Sequence, residues 1–535
     1  METEVLIIGG GATGLGLAWD LALRGIDTIL IEQGDFGHGT SSRFHGLLHS
    51  GGRYAVKDPV SAEECIRENV ILKRVAAPCI EDTGGWFVHL TADDPDYPGR
   101  WLTACRRTGI PVQERPVHEL LALVPALTPK VDQAFHVPDA AIDGFRLLRA
   151  LAYSARQRGV RLMTYTRAVS LMQKEGRVEG AVTEDQRTGQ RREIRASLIV
   201  NASGPWAAEV AAMAGIRIDM RLDKGSLLIF NHRLSGQVIN RLRSPGDADI
   251  VVPADTVSIL GTTSVPVASP NNPLPSATEL LHMLALGEEL FPSLHEYRVI
   301  RAFAGVRPLY DADESGGSAG REVSRTFSLL DHAVRDGLEG LVSVVGGKLT
   351  TFRLMAEKTG DLVAQKLGVT VASKTAVTPL SLPEPRSVSV FMPDKGTEDA
   401  QHMQSEVRND REGRKTKQPT GTVICDCEAV TLGDLHAALA EVPDGDLNDL
   451  RRRTRLGMGT CQGSFCSFRS AAALYQGNEF PVQRANVMLQ ELVQERWKGV
   501  RLVLWGEQLR EAEFMQAIYK RLLNLARLDA NGKRI

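Results

Sequence analysis

Val5-Leu6-Ile7-Ile8-Gly9-Gly10-Gly11-Ala12-Thr13-Gly14 runs a short apolar strand directly into Gly-x-Gly-x-x-Gly. In that spacing Gly9 makes the tight turn, Gly11 leaves room for a pyrophosphate against bare backbone, and Gly14 lets the following helix lie close to a sheet. The helix that opens around Thr13 turns unpaired N–H groups and a positive dipole end toward the phosphates. A second apolar strand, Thr28-Ile29-Leu30-Ile31, ends in Glu32, where a carboxylate accepts hydrogen bonds from a ribose. A chance glycine turn accounts for the glycines but not for the acid. The pair predicts a dinucleotide-binding fold, with FAD and NAD both open on this stretch alone.

The 535 residues suffice for about three to four domains. Apolar content of 43% and charged content of 24% are those of a globular protein, and a formal net charge of -2 gives no electrostatic footprint for nucleic acid. The acidic start Met1-Glu2-Thr3-Glu4 lacks the basic region and cleavage site of a signal peptide, so a cytoplasmic protein is expected. No run of about 18 apolar residues is present to span a bilayer, which leaves peripheral attachment through a partner or an amphipathic face. Of seven cysteines, Cys65, Cys79 and Cys105 are scattered and read as buried thiols, whereas Cys425, Cys427, Cys461 and Cys466 cluster near the C-terminus.

Gly34 to Arg43 is small, polar and without periodicity, a loop, and Gly46 to Tyr54 follows it. Gly39-Thr40-Ser41-Ser42-Arg43, then His49, Gly51, Arg53 and Tyr54, resemble the FAD-dependent glycerol-3-phosphate dehydrogenases; Phe44 and Ser50 depart from the commonest form. In that family the loop reaches from the ribose strand toward the flavin ring, so the resemblance implies FAD contacts at Thr40, Ser41 and Ser42. Further pieces keep the family's order. Asn201-Ala202-Ser203-Gly204-Pro205-Trp206 ends an apolar strand in small residues, as needed where backbone approaches a cofactor, and implies contacts at Ala202 and Gly204. Val169 falls on the strand that passes the adenine and offers its backbone by position. Gly346-Gly347-Lys348-Leu349-Thr350-Thr351-Phe352-Arg353 opens a helix whose N–H donors suit the flavin pyrimidine, where negative charge collects on reduction. Gly346, Gly347, Leu349 and Thr350 are the contacts implied there.

Lys224-Gly225-Ser226 and Ile259-Leu260-Gly261-Thr262-Thr263 also look like this family, but Leu227 stands where many members carry histidine. Leu227 and Asn231-His232-Arg233 resemble the anaerobic branch, the large A subunits of multi-subunit enzymes. The resemblance implies quinone-linked oxidation of sn-glycerol 3-phosphate to dihydroxyacetone phosphate by hydride transfer to flavin. Arg307, with Arg53 and Lys348, is implied to hold the phosphate and substrate oxygens, a guanidinium being suited to a two-pronged grip. His49 is the candidate base, since a near-neutral pKa suits proton removal; a histidine packed beside the flavin loop is the plainer alternative.

Residues 383–420 are rich in Pro, Gly and charge and read as a flexible linker. Beyond it stand Cys425-Asp426-Cys427 and Cys461-Gln462-Gly463-Ser464-Phe465-Cys466. Four thiolates in a chain without an export signal point to a metal rather than to disulfides. Cys-x-Cys fits zinc spacing poorly, whereas two thiolates per iron among glycine N–H donors suit a [2Fe-2S] cluster. The arrangement resembles the bacterioferritin-associated-ferredoxin type of [2Fe-2S] domain; zinc and unliganded thiols are the alternatives. Thr431 reads as a helix N-cap. Trp505, Leu509, Ala512, Met515, Ile518, Leu522 and Leu525 form a helical stripe that packs in a core or docks on a partner protein.

The expected fold is α/β: a two-dinucleotide-binding (Rossmann-like) FAD domain over 1–382, an inserted α+β substrate domain over about 84–139 and 215–335, and a small helical C-terminal [2Fe-2S] domain over 421–480. A helical segment over 481–535 completes it. Implied partners are two further subunits, one flavin-containing and B-type, the other iron–sulfur, membrane-anchoring and C-type. Through them the chain is expected to reach quinone at the inner face of the membrane. Two other readings stay open: an FAD enzyme acting on a 2-hydroxy acid or amine, and a non-catalytic flavin and iron–sulfur electron carrier.

Overall fold

The computed structural model describes residues 1–310, 324, 326–383, 421–476 and 481–522. The chain divides into two compact units, Met1–Pro383 and Glu384–Ile535. The expected linker lies outside the described residues, apart from Pro383.

In the first unit the strand Glu2–Ile8 lies between Arg191–Asn201 and Thr28–Ile31, parallel to both. Val5, Leu6, Ile7 and Ile8 are all buried, the continuous apolar run that a parallel strand covered on both faces requires. The sheet continues through Arg161–Met163 on one side and through Leu341–Gly346, parallel to Arg191–Asn201, on the other. A side chain at Gly14 would place its Cβ 1.9 Å from the Gly9 carbonyl oxygen, so only glycine lets the helix Ala12–Arg24 start this close to the strand end. That helix packs on Phe352–Leu367, with Gly16 set against the Phe352 ring. Arg353 braces the same helix against Pro59–Val75 through buried hydrogen bonds to both carboxylate oxygens of Glu68.

A second sheet of nine strands takes its members from both predicted parts of the inserted domain, Gly85–Leu90 to Val131–Val137 and Met220–Phe230 to Val299–Tyr310. The strand Phe327–Asp331 departs from the expected boundary at 335. It pairs antiparallel with Leu341–Gly346 and so belongs to the first sheet. The sequence reading missed this because antiparallel edge strands of either sheet carry the same alternation.

Among its described residues the second unit has one hairpin, Val423–Cys425 with Val430–Thr431, and helices around one apolar core. Thr431 caps the helix Leu432–Glu441 in a capping box with Asp434. The expected boundary at 480 cuts through this core: Met488, Leu489, Leu492 and Val493 of Val482–Val500 pack with Ile424, Leu435 and Leu450. On the last helix, Gly506–Leu522, Leu509, Ala512 and Ile518 are half-buried and Met515 is exposed, as is Trp505 before it. Over its described side chains that stripe is not a core face; the Leu522 side chain and Leu525 lie outside the described residues. Among the described residues no helix is long and apolar enough to cross a membrane.

Candidate active site

The first unit encloses a cavity of about 690 Å³ where the ends of Glu2–Ile8, Thr28–Ile31 and Arg191–Asn201 meet the second sheet. One end is a dinucleotide cradle. Gly11 gives the helix Ala12–Arg24 no side-chain cap, so its positive end opens toward the cavity, and Ser41 Oγ accepts the Ala12 N–H at 2.9 Å. Glu32 accepts from Gly10 N at 2.7 Å and from Gly34 N at 3.0 Å. Burial raises its pKa, which those two N–H groups counter. Glu32 thus braces the glycine loop while still lining the cavity, where a ribose hydroxyl finds its remaining lone pairs.

Gly9, Gly11, Thr13, Thr40, Ala202, Gly204, Gly346, Gly347, Leu349 and Thr350 also line the cavity. Three residues named from sequence do not. Gly14 serves helix packing alone; Ser42 donates to the Gly37 carbonyl and secures its own loop. Val169 sits at a register shift between Ala168 and Ser170, so it is out of the ladder, and the wall there is Thr166 to Ala168. The Gly347 N–H is already given to the Thr326 carbonyl at 3.0 Å. At this end the open donors are those of Leu349 and Thr350, since Lys348, the N-cap of the turn Leu349–Thr351, supplies no side-chain cap.

The other end of the cavity is cationic. Arg307 lies directly across from Asp223 in the antiparallel pair and is tied to it, to Thr262 Oγ1 and to the Thr263 carbonyl. A Cβ on Gly225 would sit 2.4 Å from Arg307 Nη2, which is why Lys-Gly-Ser carries glycine at its centre. Arg53 donates through Nη2 to Asp249 and the Gly246 carbonyl. Each guanidinium keeps further N–H groups for an anion. Lys348 Nζ is buried without a hydrogen-bond partner among the described residues; it lies 5.2 Å from the Tyr54 ring centre and 3.9 Å from Glu64. A buried ammonium that makes no hydrogen bond, with the approach to Glu64 to balance its charge, is costly unless a ligand meets it.

His49 stands beside these cations. Its backbone N–H donates to Thr350 Oγ1 at 3.2 Å, and its ring lies between Tyr54 and His45, at 5.3 and 5.6 Å between ring centres. Burial, then the neighbouring His45, Arg53 and Lys348, push its pKa well below the usual histidine value. The ring is therefore uncharged at neutral pH with a lone pair open to a proton, but it is a weaker base than the near-neutral imidazole expected from sequence. Ser50 N donates to the buried carboxylate of Asp139 at 2.6 Å, which fixes the backbone on which His49 rides. Leu227 is buried in the second sheet and does not line the cavity.

The model of FAD-dependent oxidoreductases matches residues 4–353, the span that builds this cavity. Over 98% of its length the chain is 41% identical to the A subunit of the anaerobic glycerol-3-phosphate dehydrogenase from Haemophilus influenzae, covering 94% of that protein. It is 42% identical to the protein of the same name from Escherichia coli (strain K12), over 98% of this chain and 97% of that one. The chain belongs to the FAD-dependent oxidoreductase family, in its anaerobic glycerol-3-phosphate dehydrogenase A-subunit branch. A solved structure of the glycerol-3-phosphate dehydrogenase from Bacillus halodurans complexed with FAD shares the fold, with a TM-score of 0.61 at 20% identity over 95% of this chain and 97% of that one.

Sequence reasoning missed His45 and Asp139, and gave Tyr54 no role. Tyr54 stood inside the matched motif, and His45 precedes His49 by four residues in an otherwise apolar stretch. Asp139 carried no signal, because its role depends on a contact across 89 residues.

In the second unit the four thiols form a chain of neighbours: Cys466 is within hydrogen-bond reach of Cys425 and Cys461, and Cys461 of Cys427. Among the described residues no three His, Cys, Asp or Glu side chains form a site for a single metal ion. Backbone N–H groups of Gly457 and Glu428 point at Cys425, and that of Gly463 at Cys461; with the contact from Cys466 they lower both thiol pKa values. Four neighbouring sulfurs with amide N–H groups aimed at two of them are a donor set that suits a [2Fe-2S] cluster.

Proposed function

We propose that the first unit binds FAD and oxidises sn-glycerol 3-phosphate to dihydroxyacetone phosphate, and that the second carries a [2Fe-2S] cluster held by Cys425, Cys427, Cys461 and Cys466. When bound, FAD supplies the hydride acceptor for the substrate's C2 hydrogen. The chain's own residues aim the alcohol and manage its charge. Arg307 and Arg53 offer the N–H groups left over from their carboxylate and carbonyl ties to the phosphate, with orientations those ties fix in advance. Lys348 brings its unpartnered ammonium to a substrate oxygen and lowers the cost of the developing negative charge. His49 accepts the C2 hydroxyl proton on its neutral ring.

The observation that carries this reading is the convergence of two guanidiniums, a buried unpartnered ammonium and a neutral imidazole on the same cavity as the dinucleotide cradle. Relatives named as A subunits, the ferredoxin-like thiols and the partly exposed stripe on the last helix support a further step. Electrons leave through the iron–sulfur cluster to flavin-containing B-type and membrane-anchoring C-type subunits and then to quinone, with the chain peripheral on the inner membrane face. Anaerobic addition of glycerol 3-phosphate to the FAD-loaded chain is expected to bleach the flavin absorbance, and glycerol without phosphate is not. Bleaching by a 2-hydroxy acid or an amine, or by no small alcohol at all, would replace this reading with a different substrate class or with an electron carrier.

A further inference from the structure

Of the two imidazoles lining the cavity, His45 has its proton placed by the backbone. The Leu47 N–H donates to His45 Nδ1 at 3.1 Å. A nitrogen that accepts an N–H presents its lone pair there, so the neutral ring carries its proton on Nε2. No described residue accepts from that Nε2, and the side chain lines the cavity. Burial first, then the charges of Arg307 and Arg53, hold the ring's pKa down to about 3, so it is uncharged at neutral pH. His45 is therefore a fixed hydrogen-bond donor: Nδ1 is already engaged and Nε2 has no lone pair to accept a proton. His49, whose ring centre lies 5.6 Å away at an interplanar angle of 75°, has no such tie on its ring nitrogens among the described residues.

We propose that His45 donates its Nε2–H to the hydroxyl on the terminal carbon next to the one oxidised, and so selects a substrate with two adjacent hydroxyls. The inference rests on the reading that this chain oxidises glycerol 3-phosphate. The cations Arg307, Arg53 and Lys348 take the charged end, and a neutral donor suits a hydroxyl that keeps its proton. Vicinal hydroxyls fit between the two rings with one hydrogen bond to each, His49 accepting from the reacting oxygen and His45 donating to the spectator.

The test compares glycerol 3-phosphate with propane-1,2-diol 1-phosphate, which has the same phosphate and secondary alcohol but a methyl group in place of the terminal CH2OH. In His45→Asn the side-chain oxygen still accepts the Leu47 N–H in an Asx-type turn, but the amide is too short to reach into the cavity. His45→Phe keeps the bulk and removes both functions. For flavin reduction in the FAD-loaded full chain, a preference of about tenfold or more in kcat/KM for glycerol 3-phosphate is expected, because an unpaired site donor penalises the analogue. Either variant is expected to narrow that preference to about threefold or less, by loss on glycerol 3-phosphate alone, with the acid limb of the pH profile retained because His49 is intact, and moved toward higher pH if at all, since His45 no longer depresses the His49 pKa.

The proposal is overturned if the unaltered chain shows no preference or if His45→Asn keeps it. It is also overturned if that variant slows both substrates equally, which marks a flavin contact, or if the acid limb disappears, which makes His45 the base. Failure of both variants to hold FAD would likewise overturn it, by assigning the ring to loop structure. Absence of bleaching by glycerol 3-phosphate in the unaltered chain would remove the substrate reading itself, whereas bleaching with an undiminished preference in the variants removes only this inference.

Discussion

The cavity of the first unit gathers Gly9, His49, Ala202, Arg307 and Lys348 from distant parts of the chain, and protein groups hold most of them before any ligand arrives: Arg307 by Asp223, Arg53 by Asp249, His49 by Thr350. The second unit brings four thiols from one short region against one another, with sulfur as their main neighbour. A preorganised site survives the loss of its ligand, whereas facing thiols repel once ionised and need a cation between them. On the proposed [2Fe-2S] reading, metal binding is part of that unit's folding energy. The sharpest way to break the comparison is Cys466→Ser. Loss of the iron–sulfur absorbance is expected, with the second unit's thermal transition lowered by about 10 °C or more while glycerol 3-phosphate still bleaches the flavin. An unmoved transition would mean that the thiols are as independent of metal as the cavity is of flavin.

Arg307→Ala tests the first unit in the same way. A drop of about 100- to 1,000-fold in kcat/KM is expected, mostly in KM, with FAD retained, because two charge-assisted hydrogen bonds of about 1.5–3 kcal/mol each are lost. The variant also strands Asp223, whose side chain is only 3% exposed. Arg307→Ala with Asp223→Asn is therefore expected to recover stability but not affinity, and recovery of both would assign Arg307 to structure.

Much of this was legible in the sequence where function depends on local pattern. The strand-to-glycine junction at Ile8–Gly9, the small residues ending the strand at Asn201 and the glycines before Lys348 each create a local backbone opening, and the cavity forms around them. What stayed hidden depends on pairing between distant segments. The Asp223–Arg307 tie is a register fact of an antiparallel pair, and the displacement of Val169 is a register shift that no periodicity announces. The terminal helical stripe stayed undecided between core and docking face because spacing reports that a face is apolar, not whether anything covers it. The tautomer of His45 is set by one backbone N–H two residues away, a contact without a compositional trace.

Lys348→Met sharpens the contrast between stability and function inside the first unit. Removing a buried ammonium that makes no hydrogen bond, at the cost of leaving Glu64 without its close countercharge, is expected to leave thermal stability within about 1 kcal/mol of the unaltered chain, while kcat/KM falls about 10- to 100-fold. Larger destabilisation would show that the 3.9 Å approach to Glu64 is a structural ion pair.

Acid stability follows from the two imidazoles. His45 has a folded pKa of about 3 and that of His49 is well below 6.5, each depressed mainly by burial, whereas both titrate near 6.5 when unfolded. Between those values the unfolded chain binds more protons. The stability they allow is therefore complete above pH 6.5 and lost as pH falls from 6.5 toward about 3, at up to about 1.4 kcal/mol per pH unit for each ring. Melting of the first unit from pH 8 to pH 4.5 is expected to show this fall, and replacing His45 by Asn is expected to roughly halve the slope. A flat profile would place both rings in a solvated setting.

The smallest expected effect probes the cradle. Ser41 Oγ meets the Ala12 N–H that an approaching pyrophosphate also seeks, so the hydroxyl holds the donor in its absence. Ser41→Ala is expected to cost about 1 kcal/mol of stability in the FAD-free chain, as loss of a helix cap does, and less in the loaded one, where the phosphate replaces it. The difference between the two melting shifts is the measurement. Equal shifts would mean that the serine and the cofactor do not share that N–H, and that the helix end opens away from the phosphates.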